Sequence, residues 1–221
     1  MRNVILALFM ILLGCFLWGQ VTYSDALLKA AKAGDASAQR DLGLCYYNGD
    51  GIKQNIQEGI KWWLKAAENG DSSAQLNMAL AYENADHVPR DSVQAIKWYR
   101  KSAEGGNVDA MKMLGDRYGY GDLVTKDAIE ADKWWRLAAE NGNKEAANML
   151  GLSVLPGTEN EDIPQAYKWF SLAFKNSTER LDINYNKQYM EEMKDKLTPE
   201  QITKIDTEVD SLQVKIDSKK K

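Results

Sequence analysis

Histidine and cysteine are scarce in this chain of 221 residues, with one and two copies respectively. The single histidine, His87, excludes any multi-histidine metal site and leaves one residue for histidine-based activation of a nucleophile. Two cysteines, Cys15 and Cys45, cannot build a disulfide scaffold. Positive charge is not in excess: 28 Lys and Arg against 32 Asp and Glu give a net charge of −4, so no nucleic-acid partner is expected. There is no glycine-rich phosphate loop, no Cys-x-x-Cys, no His-Glu-x-x-His and no strand-turn-helix context for a nucleophilic serine. No cofactor and no metal are therefore expected, no catalytic residue is assigned, and the sequence argues against an enzyme.

Hydrophobic residues make up 44% of the chain and are unevenly placed. Val4 to Trp18 is an almost unbroken apolar run behind Arg2, which reads as a secretory signal, with Thr22 and Ser24 as small residues before a cut at Asp25. Two alternatives stay open. The run Val4–Gly19 has 16 residues, slightly short of the ~20 that span a bilayer, so an N-terminal membrane anchor is possible. Leu12-Leu13-Gly14-Cys15 is also similar to a lipoprotein cleavage box, with lipidation at Cys15. All three outcomes imply export, to the periplasm or to a membrane anchor facing it, with membrane contact through residues 1–24 only. Cys45 is expected as a small buried hydrophobe.

Seven tryptophans and 16 glycines are numerous, and their spacing is the main signal. Gly34, Gly70, Gly106 and Gly142 stand 36 residues apart, each followed by Asp or Asn and preceded by a helix-forming stretch. A glycine that takes the left-handed conformation ends one helix, and the Asp or Asn beside it caps the next. Asn55, Asp91 and Asp127 keep the same period, and Asp162 follows after 35. Ala38, Leu42 and Tyr46 lie at i, i+4, i+8 and form one stripe of the first helix, as do Ala74, Met78 and Tyr82, and Ala110, Leu114 and Tyr118. The small residue after each Leu or Met lets a neighbouring helix approach. Trp62-Trp63, Trp98-Tyr99, Trp134-Trp135 and Trp169-Phe170 recur on the second helix and are expected as core between helices.

The pattern Ala38-x-x-x-Leu42-Gly43-x-x-Tyr46-x-x-Gly49-x-Gly51, then Trp62-Trp63-x-x-Ala66-Ala67-x-x-Gly70, resembles the Sel-one-like repeat, a relative of the tetratricopeptide repeat. The resemblance covers roughly Asp25 to Asn176. Repeat two departs from it with Ala85 and His87 in place of the two glycines, repeat three with Leu123, and repeat four with Val154, so these loops are expected to differ in shape. The fold class implied is all-α: a right-handed solenoid (superhelix) of helix-turn-helix repeats with a 36-residue period and a helical C-terminal cap. The expected divisions are a leader at 1–24, a solenoid at 25–178, and capping helices with a basic tail at 179–221. Thr198-Pro199-Glu200-Gln201 is a capping box, and the stripe Ile202, Ile205, Val209, Leu212, Ile216 is expected either to pack on the last repeat or to meet a partner helix.

The resemblance implies that the first helix of each repeat lines a concave face. The wheel puts Arg40, Leu44, Tyr47, Leu76, Leu80, Glu83, Lys112, Asp116, Tyr120 and Leu152 on that face. An apolar patch holding a few charges suits a protein-binding groove, although a tight superhelix would bury the leucines against one another. The expected function is a monomeric, non-catalytic protein-interaction scaffold or adaptor in the bacterial cell envelope. The alternatives are a periplasmic immunity-type inhibitor of a secreted lipase, phospholipase or other toxin, and a hydrolase using His87 or the Glu83/Asp116 pair.

Overall fold

The computed structural model describes residues 21–219; most of the leader, including Cys15, and the last two lysines of the basic tail lie outside the described residues. Eleven α-helices and no strand are found among the described residues. They are α1 (Asp25–Lys32), α2 (Ala36–Asn48), α3 (Ile56–Glu68), α4 (Ser72–Asn84), α5 (Ser92–Glu104), α6 (Val108–Tyr120), α7 (Ala128–Ala139), α8 (Lys144–Ser153), α9 (Ile163–Asn176), α10 (Arg180–Lys194) and α11 (Pro199–Lys219). No helix among them is long and apolar enough to cross a membrane.

Helix ends obey the local chemistry of the repeat. Gly34, Gly70, Gly106 and Gly142 hold φ of 97°, 91°, 89° and 93°, a region open to glycine and strained for other residues. The neighbouring Asp35, Asp71, Asn107 and Asn143 accept the N–H groups of Ala38, Ala74, Ala110 and Ala146 at 2.7–2.9 Å. Asn55, Asp91, Asp127 and Asp162 cap α3, α5, α7 and α9 in the same way.

Two compact units are present, divided between Met78 and Ala79 inside α4. In the first, α2 packs against α1 and α3. In the second, neighbouring helices pack in sequence from α5 to α10, and α11 lies on α9. All eight residues of the aromatic pairs are buried. The stripe tyrosines divide: Tyr118 is buried, whereas Tyr46 and Tyr82 are half-buried. The glycine after each stripe leucine explains the close packing. A Cβ on Gly43 would stand 2.4 Å from Trp63 Cδ1, on Gly115 2.5 Å from Trp135 Cδ1, and on Gly151 2.8 Å from Phe170 Cε2. Cys45 is buried as expected; its thiol donates to the Val21 carbonyl, and burial pushes its pKa up, which keeps the thiol unreactive.

The repeat-two loop corrects an expectation. Ala85 and His87 adopt φ of 56° and 57°, so both keep the left-handed conformation that Gly49 and Gly51 hold at 87° and 75°. The loop ends are pinned alike: the Asp91 N–H donates to the Tyr82 carbonyl as the Asn55 N–H does to that of Tyr46. A left-handed non-glycine residue costs ~1–2 kcal/mol, partly offset by the ~0.4–1 kcal/mol of extra chain entropy that glycine brings to the unfolded state. Ala85→Gly is therefore expected to stabilise the chain by about 0.5 kcal/mol, seen as a rise in the urea midpoint.

The C-terminal stripe packs on the last repeat. Ile205, Val209 and Ile216 are buried, and α11 is anchored to α9 through Tyr167 to Asp206, Lys168 to Glu208 and Lys175 to Asp210. Thr198 and Gln201 exchange the two hydrogen bonds of a capping box.

Candidate functional site

In the first unit, the expected surface is largely engaged internally. The Arg40 guanidinium bonds Asp41 at 2.8 Å and Asp71 at 2.9 Å, while its carbonyl accepts the Trp63 indole N–H. Tyr47 is stacked on Trp63 at 4.7 Å. Leu76 is half-buried, and Leu44 at 36% is the one clearly exposed apolar side chain of the set here.

In the second unit, Leu80 and Leu152 are half-buried. Glu83 is tied on both oxygens: the Tyr99 hydroxyl donates to it at 2.5 Å and Arg117 reaches it at 2.7 Å. Burial of Tyr99, reinforced by the carboxylate beside it, pushes the phenol well above its ordinary pKa. Asp116 is buried, accepts the Trp135 indole N–H at 3.0 Å and pairs with Lys112 at 2.7 Å. The two carboxylates proposed as an acid/base couple are thus held by different partners. Glu83, held by Tyr99 and Arg117, ties α4 to α5 and α6. His87 stands in an exposed loop beside Asp86 at 3.5 Å. Among the described residues no cluster of three or more His, Cys, Asp or Glu side chains could hold a metal ion.

Lys112, Asp116 and Tyr120 do converge on a groove of about 550 Å³. They occupy one face of α6 at i, i+4, i+8. Opposite them stand Glu145, Asn148 and Met149 of α8, and Leu181, Asp182 and Tyr185 of α10. Tyr120 is 63% exposed and Leu181 81%, with Tyr185 at 39%. The Tyr120 hydroxyl is directed to Met149 Sδ. Lys144 fastens α8 to α10 through Asp182, and that hydrogen bond holds its ammonium pKa above the ordinary value. Tyr185 is supported from below by Phe170 and Tyr189. The sequence placed the binding face on the repeats alone and assigned residues 179–221 to capping helices and a basic tail, so Leu181 and Tyr185 were missed. The available signal was Leu181, Tyr185 and Tyr189 at i, i+4, i+8 on α10, a stripe separate from the buried Met193.

Sequence and structure comparisons agree with this architecture. The Sel1 repeat family model matches residues 36–71, 72–107, 108–143 and 144–177. A Sel1 repeat protein from Oxalobacter formigenes is 34% identical, with a TM-score of 0.59; the match takes in 68% of this chain and 61% of that one, so this chain spans less than two thirds of the relative's length. A protective antigen of uropathogenic Escherichia coli with an SLR fold is 27% identical over 86% of this chain and 48% of its own, with a TM-score of 0.47. An immunity protein of Pseudomonas aeruginosa is 16% identical over 76% and 72%, with a TM-score of 0.46. No curated protein matches the chain. Four consecutive matches in register with the observed helix pairs mean that the chain belongs to the Sel1 repeat family.

Proposed function

We propose that this chain is a non-catalytic scaffold that holds a partner protein in the groove of α6, α8 and α10. One observation carries the reading: Tyr120, Leu181 and Tyr185 are exposed over a groove of about 550 Å³, where the Lys144–Asp182 ion pair fastens α8 to α10. Tyrosine and leucine left in water above a pre-formed groove supply the large apolar anchors on which protein interfaces depend. Of the rest of the expected surface, Arg40, Tyr47 and Glu83 serve as framework, each tied to a neighbouring helix. Residues 1–24 read as an export signal or anchor, which places the groove outside the cytoplasm in this proposal. An envelope adaptor and a toxin inhibitor would both use such a groove, and the identity of the captured protein separates them.

The test is affinity capture from envelope extract with the full chain and with Tyr120→Ala, Leu181→Ser. Both side chains are largely exposed, so helicity by circular dichroism is expected to be unchanged. Capture of the specific partner is expected to fall at least ~tenfold. Equal recovery by the two proteins would overturn the groove reading.

A further inference from the structure

The scaffold reading leaves the chemistry of the bound segment open. Resting on that reading, we propose that the segment seated in the groove of α6, α8 and α10 is both apolar and basic: a stretch of a partner protein that presents large apolar side chains next to lysine or arginine.

The apolar half follows from Tyr120, Leu181 and Tyr185. The basic half follows from the charges around them. Two ammonium groups, Lys112 and Lys144, stand among four carboxylates. Lys112 is taken by Asp116 at 2.7 Å and Lys144 by Asp182 at 2.5 Å. Glu145 and Glu179 are left at the margin of the Lys144 cluster, 4.0 and 3.7 Å from its Nζ, with side chains 53% and 74% exposed. Lys144, already claimed by Asp182, is the cation they share; Glu145 lines the groove and Glu179 stands across Lys144 from it, so the pair leaves negative charge at this edge of the groove. Asn148 adds a third acceptor. It lines the groove at intermediate burial, so its amide offers a neutral polar contact beside the two glutamates. The same carboxylates would repel a nucleic acid, an anionic membrane or an acidic peptide.

Two labelled amphipathic peptides of equal length test this by fluorescence anisotropy with the full chain: one of leucine and lysine, one of leucine and glutamate. The leucine–lysine peptide is expected to bind at least ~tenfold more tightly, with an affinity that weakens as salt is raised. Glu145→Gln, Glu179→Gln is expected to remove most of that preference, and Leu181→Ser to weaken the leucine–lysine peptide about tenfold. Glu104→Gln, Glu140→Gln and Ile129→Ser alter exposed acidic and apolar residues elsewhere, and are expected to change nothing. Equal affinity for the two peptides, or equal losses in the control variants, overturns the proposal. If envelope capture depends on Leu181 while neither peptide is preferred, the basic-segment proposal fails and the scaffold reading stands. If neither capture nor peptide binding depends on the groove, both fall.

Discussion

Phe170→Ala is expected to cost about 3–5 kcal/mol of stability and to weaken partner capture even under conditions where the chain stays folded. Phe170 is fully buried and touches two things at once. On one side its ring fills the space left by Gly151, where a Cβ would stand 2.8 Å away. On the other it stacks on Tyr189 at 4.7 Å and meets Tyr185 edge-on at 6.5 Å. Truncation leaves a ring-sized cavity between α8, α9 and α10, and glycine offers no side chain to collapse into it. For a chain of this size each kcal/mol shifts the melting temperature by ~2–4 °C, so a fall of about 10 °C in a circular dichroism melt is expected. A shift of only a degree or two would show that the site relaxes and that the ring is not a structural centre. Tyr185 also lines the groove, so losing its edge contact is expected to loosen one of the three apolar anchors. Tyr185→Ala separates the effects. It is expected to reduce capture with a smaller loss of stability, because Tyr185 is 39% exposed.

The repeat was legible because its rules are local. A glycine, an Asp or Asn, and an i, i+4, i+8 stripe each act within one or two turns, so Gly34-Asp35 or Gly106-Asn107 announce a corner without reference to the rest of the chain. The aromatic pairs were equally readable, since a 36-residue recurrence of Trp at one register marks a shared core position. The groove was legible only in part, for two physical reasons. A helical wheel gives the direction of a side chain but not what it meets. Glu83 is held by Tyr99 and Arg117, 16 and 34 residues away, partners that a wheel of its own helix does not contain. Asp116 is claimed by Trp135 of the following helix, a contact set by the close approach at Gly115. The second reason lies at the C-terminal end. Leu181 and Tyr185 belong to a helix outside the repeat pattern, where no periodicity across units calls attention to them. The repeat-two loop shows the opposite limit. Ala85 and His87 read as a change of shape, but the hydrogen bonds that close the loop outweigh the local preference of the two residues.

Gly43→Val is expected to destabilise the first unit by about 3 kcal/mol, at the upper end of the usual overpacking cost. The obstacle is the backbone as much as the neighbouring side chain. A Cβ on Gly43 would meet Trp63 Cδ1 at 2.4 Å and the Gly59 carbonyl oxygen at 2.9 Å. The approach is reciprocal, since a Cβ on Gly59 would meet the Gly43 carbonyl at 2.8 Å and the Tyr47 N–H nitrogen at 2.9 Å. Here α2 and α3 touch main chain to main chain, and the indole of Trp63 lies across the junction with its N–H on the Arg40 carbonyl. A rotamer change can move an indole but cannot move a carbonyl held in a helix. Pairing Gly43→Val with Trp63→Leu is therefore expected to recover little, whereas full recovery would mean that the indole alone limits the approach. Gly34→Ala supplies the contrast. Nothing lies within 4 Å of a Cβ there, so its expected cost is only that of a left-handed alanine at φ 97° less the chain entropy that alanine removes from the unfolded state, about 1 kcal/mol. Urea midpoints of the three variants separate a glycine required for space from one required for conformation. A Gly43→Val cost no greater than that of Gly34→Ala would show that α2 and α3 can part without loss of core, and that the 36-residue period is held by its caps alone.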